Sequence, residues 1–170
     1  MLKLRQVGGN NAFSYTTAIQ TNLTDKMLTV SFEITSPCFH VSEKFSLTHY
    51  ENWGLWDFDV IEIFLARSNT SPYLEIQLSP LNQKFALIID EPRVKFHYPK
   101  DFDFIATSYM DEGRWVGEIS INLIDIPGVG EKIWGNIHAC LGEDREYYAL
   151  FGHQDGVIDF HRPALFEEFK

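Results

Sequence analysis

The chain has 170 residues, with 14 Lys and Arg against 24 Asp and Glu, a formal net charge of −10. That length holds a single domain, 1–170, with volume for a real core. The acid excess argues against nucleic acid or an anionic membrane as partner, since both need a basic face, and no stretch reaches the roughly 20 apolar residues of a spanning helix.

Along the chain the dominant period is two. Met1–Gln6 lacks the basic-then-apolar pattern of a leader, so a complete chain is expected in the cytoplasm. An early strand is expected over Phe13–Ile19. Met27–Thr35 alternates cleanly, with Leu28, Val30, Phe32 and Ile34 on one face. Residues 36–57 read as irregular. Phe58–Ala66 is a second strand, placing Ile61, Ile63 and Leu65 opposite Val60, Glu62 and Phe64. Tyr73–Ser79 follows, with Leu74, Ile76 and Leu78 facing away from Tyr73, Glu75 and Gln77. A Pro80–Asn82 turn leads to a strand at Lys84–Asp90. Glu91–Phe104, interrupted by Pro92 and Pro99, reads as loop. Arg114–Asn122, Ile133–Leu141 and Glu146–Phe151 are later strands, the last two joined by a Gly142–Arg145 turn. Leu123–Val129 holds at most one short helical turn. The expected fold is all-β: an antiparallel β-sandwich of about ten strands.

Aromatic residues make up 15% of the chain, including 14 Phe and 4 Trp. Most belong in a sandwich core; a few Trp and Tyr are free to form a ligand platform. Charge is uneven: residues 1–85 carry 6 basic and 8 acidic side chains, and residues 86–170 carry 8 and 16. That surplus reads as a solvated surface.

Much chemistry is missing. Gly8-Gly9 lies outside any strand-to-helix context, so there is no phosphate loop. There is no Gly-x-Ser-x-Gly elbow. His40, His49, His97, His138, His153 and His161 show no zinc-ligand spacing. The carboxylate pairs Asp57/Asp59 and Asp101/Asp103 could hold a structural calcium but read as solvated. Cys38 and Cys140 read as reduced and packed. Asn22 and Asn69 begin glycosylation acceptor triplets, relevant only to a eukaryotic secretory protein. No nucleophile–base pair is visible, so no enzyme is expected; Glu62 and Glu75 as a glycosidase pair are set aside.

Three segments carry polar or aromatic residues that strand patterning does not require. Trp53 and Trp56 precede a strand with Glu62 at its middle, where a carboxylate must be bonded or wet. Glu75 and Gln77 form a polar stripe. Phe151-Gly152-His153 closes the last strand, followed by Asp159-Phe160-His161-Arg162-Pro163. Two aromatic walls over a polar floor suit a sugar, whose C–H faces stack on rings while its hydroxyls take polar partners.

These segments resemble the DOMON-like superfamily, in particular the family-9 carbohydrate-binding modules. Trp56-x-x-Asp59-x-x-Glu62, Tyr73-x-Glu75 running to Ser79-Pro80, Trp115-x-x-Glu118 and the Asp159-Phe160-His161 tail occur in the family's order from about Trp53 to Phe169. The resemblance implies a jelly-roll sandwich and a non-catalytic module. In its sugar-binding members one aromatic precedes the acidic strand and a second lies near the C-terminal strand, and together they clamp a terminal sugar. Trp56 matches the first, Phe151 stands nearest the second, and Glu62 matches the acidic hydrogen-bonding residue. The resulting ligand set is Trp56, Glu62, Glu75, Gln77, Arg93, Phe151 and His153, with Arg93 fixed by no motif. His161 is expected to bond backbone, and the Asp-Phe-His tail to serve structure. No cofactor is required. Other members of the superfamily hold b-type haem through Met–His or Met–Lys pairs, for which Met27, Met110, His138 and His153 are the available residues. A third reading is an accessory interaction domain anchored by Trp53 and Trp56.

Overall fold

The computed structural model describes residues 1–8 and 15–170. Phe13 and Gly9 lie outside them. Twelve strands appear: β1 (Arg5–Gln6), β2 (Thr16–Leu23), β3 (Met27–Thr35), β4 (Val60–Ala66), β5 (Tyr73–Leu78), β6 (Lys84–Glu91), β7 (Lys95–His97), β8 (Ile105–Asp111), β9 (Arg114–Asn122), β10 (Trp134–Leu141), β11 (Glu146–Ala149) and β12 (Glu167–Glu168). The larger sheet runs β1-β11-β10-β4-β5-β6-β7, with β12 also paired to β10; the smaller runs β2-β3-β9-β8. Neighbours are antiparallel throughout. The all-β sandwich expected from the sequence is present.

Period-two alternation builds the space between the sheets. Ile61, Ile63 and Leu65 of β4, Leu74, Ile76 and Leu78 of β5, and Ile137, Ala139 and Leu141 of β10 face Leu28, Val30, Phe32 and Ile34 of β3 and Trp115, Ile119 and Ile121 of β9. Each of the large aliphatic and Phe side chains among them contributes roughly 1.5–3 kcal/mol on burial. Trp115 is the largest; it meets Phe32 edge to face at 5.0 Å and donates its ring N–H to Ser108.

The opposite face of the large sheet is also covered. Val60, Phe64, Tyr73, Phe85, Leu87 and Ile89 form a second apolar cluster with Leu55 from the 36–57 segment and Phe160 and Phe166 from the C-terminal tail. Every residue of β4 and β5 is therefore buried.

One strand start and two strands not expected from the sequence have physical reasons. β4 starts at Val60 rather than Phe58, because Asp59 is used to tie down loops: its carboxylate accepts from the His40 and Gly142 amides, and its own N–H bonds His40 O. β7 lies inside the segment expected to be loop, a three-residue edge strand wholly exposed. β8 lies at the edge of the small sheet with little burial, so its sequence shows no face. Cys38 is exposed rather than packed; Cys140 is buried, and both are free.

Gly135 on β10 shows how tightly strands and tail close. A Cβ there would lie 2.1 Å from the Phe64 carbonyl oxygen and 2.9 Å from the Phe169 ring. Gly135→Ala is expected to cost about 1–3 kcal/mol, read as a lower urea midpoint at unchanged slope.

Candidate ligand pocket on the outer face of the large sheet

Strand register writes the floor. Glu62 on β4 stands opposite Gln77 on β5, and Glu75 shares Gln77's face two residues away. The Gln77 amide donates to Glu62 Oε1 at 3.1 Å and to Glu75 Oε1 at 2.8 Å. All three are nearly sealed, at 5%, 4% and 1% exposure. Gln77 Oε1 has no protein partner. Beside them Leu87 and Ile89 of β6 add an apolar strip, and Cys140 of β10 completes the floor.

One wall rises from the loop before β4. Gly54, at φ 85°, turns the chain into the short 3-10 turn Leu55–Asp57, and Leu55 is buried as its anchor. Trp56 packs edge to face on Phe85 at 5.2 Å and on Trp53 at 4.9 Å; Trp53 stacks on Phe96 of β7 at 5.6 Å. The facing wall is Tyr147 of β11 with Phe160 and Ile158 of the tail. Arg145 bridges the two sides. It donates to the Phe58 and Trp56 carbonyls and lies 5.9 Å from the Tyr147 ring centroid. The pocket holds about 710 Å³, within the range of small-molecule sites.

The tail is latched across the far end. Arg93 forms an ion pair with Asp159. Tyr73 and His161 are joined hydroxyl to Nδ1 at 2.7 Å, and the His161 ring stacks on Phe64. Phe160 lies flat on His138 at 4.0 Å. His138 is fully buried, with neither ring nitrogen partnered; burial, then His153 and His161, hold it neutral by lowering its pKa.

Burial dominates the electrostatics of the floor. Desolvation raises the Glu62 pKa first and the Glu75 charge raises it further, against a partial offset from Arg145. Glu75 is raised by desolvation, offset by the Gln77 bond. Two adjacent sealed carboxylates resist carrying two charges at once. Arg93 acts oppositely on Asp159, holding that carboxyl low through its hydrogen bond.

Of the residues expected from sequence, Trp56, Glu62, Glu75, Gln77 and Arg93 line this one pocket. Phe151 and His153 stand outside it. The strand ends at Ala149, and the Asn136 side chain grips both the N–H and the carbonyl of Phe151. The Phe151 ring consequently packs on Phe169 and the inter-sheet core. His153 sits behind Phe160, bonding Val157 O. The second wall thus comes from Tyr147 and Phe160. His161 bonds a side chain rather than backbone through its ring, and the Asp159-Phe160-His161 tail lines the pocket as well as closing the fold.

Pattern reading passed over Arg145, Tyr147 and Phe96. Arg145 read as a turn residue, although its φ of 56° is unusual for a side chain of that size. Tyr147 was visible as the strand neighbour of the buried Tyr148, on the opposite face. The haem candidates do not converge: Met27 and Met110 belong to the smaller sheet, while His138 stands on β10 of the larger one with His153 against its ring. For calcium, Asp59 is committed to two amides and Asp103 to the Phe104 amide. Among the described residues no group of three His, Cys, Asp or Glu side chains could hold a metal. Among them, too, no helix is long and apolar enough to cross a membrane.

No family model matches the chain. It is 30% identical over 123 residues to the UPF0462 protein C4orf33 homolog of Danio rerio, covering 68% of this chain; the chain spans 61% of that relative's length. Among solved structures it is similar to a Bacteroides uniformis protein provisionally described as carbohydrate-binding, with a TM-score of 0.76 at 11% identity over 99% of this chain and 87% of that one. It is also similar to a family-9 carbohydrate-binding module from Caldicellulosiruptor kristjanssonii. The glucose complex gives a TM-score of 0.63 at 15% identity over 97% and 82% of the two chains, and the cellotriose complex 0.64 at 16% over 98% and 80%. At these identities the likeness establishes a shared sandwich fold.

The floor carries a pH signature. Glu62 and Glu75 hold protons in the folded chain above the ordinary carboxylate range, where the unfolded chain has released them. Their contribution is therefore whole at low pH and lost as pH rises through the raised values. The urea midpoint is expected to fall from about pH 6 to about pH 8.5, and to fall less in Glu75→Gln. An equal fall in both proteins would exclude the pair as its source.

Proposed function

We propose that this chain is a non-catalytic module that binds a saccharide in the pocket between the Trp53–Trp56 wall and the Tyr147–Phe160 wall. The observation that carries this reading is the juxtaposition of facing aromatic walls with a buried floor of Glu62, Glu75 and Gln77. Pyranose C–H faces stack on such walls, and hydroxyls both donate to carboxylates and accept from guanidinium groups. Arg93 and Arg145 stand at the pocket's edge for that purpose. The solved family-9 modules of like fold hold glucose and cellotriose, which supports the same ligand class here. The DOMON-like motifs read from the sequence fall on β4, β5, β9 and the tail, the elements that build or support the pocket.

A concave site of this volume favours a small ligand over a flat protein partner. Glu62 and Glu75 lie side by side in one floor, joined by Gln77, which fits recognition better than two carboxyls placed on either side of a scissile bond.

Trp56→Ala is expected to weaken saccharide binding about 30-fold or more, the loss of an aromatic anchor. Intrinsic tryptophan fluorescence against a glycan panel reads this, with circular dichroism as the check on folding. Undiminished binding in a folded variant would move the site away from this pocket.

A further inference from the structure

Resting on the saccharide reading, we propose that the sugar is an amine-bearing one, its ammonium held between Glu62 and Glu75 over Gln77. The hydrogen-bond inventory of the floor points there. The Gln77 amide has two N–H groups, and each is spent on one carboxylate. Apart from the retained carboxyl proton, the floor offers acceptors: carboxylate oxygens beyond those bonded to Gln77, and Gln77 Oε1, a buried atom without a partner. A hydroxyl can donate one hydrogen to this floor. An ammonium donates three.

The spacing fits as well. Both Oε1 atoms bond the same nitrogen, so they stand at most about 6 Å apart, close enough for one ammonium beside the Gln77 amide to face both carboxyls.

Charge leads to the same group. Four carboxylates, Asp57, Glu62, Glu75 and Asp159, line the pocket against two guanidiniums, Arg93 and Arg145. Arg93 is paired with Asp159, and Arg145, held by backbone carbonyls, offsets the Glu62 charge only in part. Among the described residues no ion pair reaches Glu62 or Glu75. Two buried carboxylates without a cation are costly, and a cation of the ligand's own removes that cost. The aromatic walls favour a positive charge as well as C–H faces.

One consequence is a proton count. Without ligand the pair retains a proton at neutral pH, for burial and mutual repulsion favour it. The groups facing the pair are His138 and Cys140 from β10, Arg145 and Tyr147 from the β10–β11 hairpin, Tyr73 from β5, Asp57 from the Trp loop, Arg93 from the β6–β7 turn, and Asp159 and His161 from the tail. Arg145 favours ionisation of Glu62 and the Gln77 hydrogen bond that of Glu75, and burial outweighs both. An arriving ammonium stabilises the doubly ionised pair, and the proton leaves to solvent.

The test is titration calorimetry of the full chain with glucose, glucosamine and N-acetylglucosamine, and with cellotriose against the trimer of glucosamine. Glucosamine is expected to bind at least about tenfold more tightly than glucose near neutral pH. Near neutral pH its binding should release protons, seen as a heat that varies with the buffer's ionisation enthalpy, while glucose binding releases none. In Glu75→Gln and Glu62→Gln the glucosamine-to-glucose affinity ratio should collapse toward one, whatever the change in glucose affinity itself. Glucose or N-acetylglucosamine binding as well as glucosamine would overturn the amine assignment and leave the saccharide reading standing. No binding of any of these sugars would overturn both.

Discussion

Burial of β4 and β5 on both faces is the constraint from which the site follows. Inner residues of these strands meet the small sheet; outer residues meet the Trp loop and the tail. A polar side chain on such a strand has little access to water and must find partners in its own layer. Gln77 supplies them, its amide spanning two carboxylates whose mutual repulsion would otherwise open the floor. The polar center of the pocket is thus also the place where the fold tolerates the least change in charge.

The rest of the pocket is held by contacts that do two things at once. Arg145 fixes the loop of Trp56 through backbone carbonyls and carries its charge toward Tyr147. Arg93 anchors the tail through Asp159 while standing at the pocket's edge. His161 latches Tyr73 and covers Phe64. Such sharing keeps the walls rigid without a disulfide or a metal among the described residues, and rigid walls reduce the ordering cost of binding.

Sequence pattern showed the core well because buried alternation leaves a strong period of two. β3 and β9 match the structure residue for residue, and the two faces of β4 and β5 separate as expected, which is why Glu62, Glu75 and Gln77 could be placed together. Edge elements left no such trace: β7 is exposed between two prolines, and β8 has a half-wet surface without a preferred face. Phe151 failed as a wall because alternation stopped two residues earlier, where Asn136 takes hold of the backbone. The wall that replaced it draws on Phe160, in a tail with no period at all, whose position depends on an ion pair and a hydrogen bond to distant strands.

That distance bears on how the chain assembles. The contact between Tyr73 and His161 spans 88 residues, and β4 cannot gain its second neighbour until β10 has been made. Closing so long a loop is slow and comes after local pairing. During synthesis β4, β5 and β6 emerge before β10 and the tail, as a meander whose carboxylates remain hydrated and ionised. Only when the tail lies down does water leave the floor. The recognition chemistry is therefore absent from any early folding species and is completed by the last residues of the chain to fold.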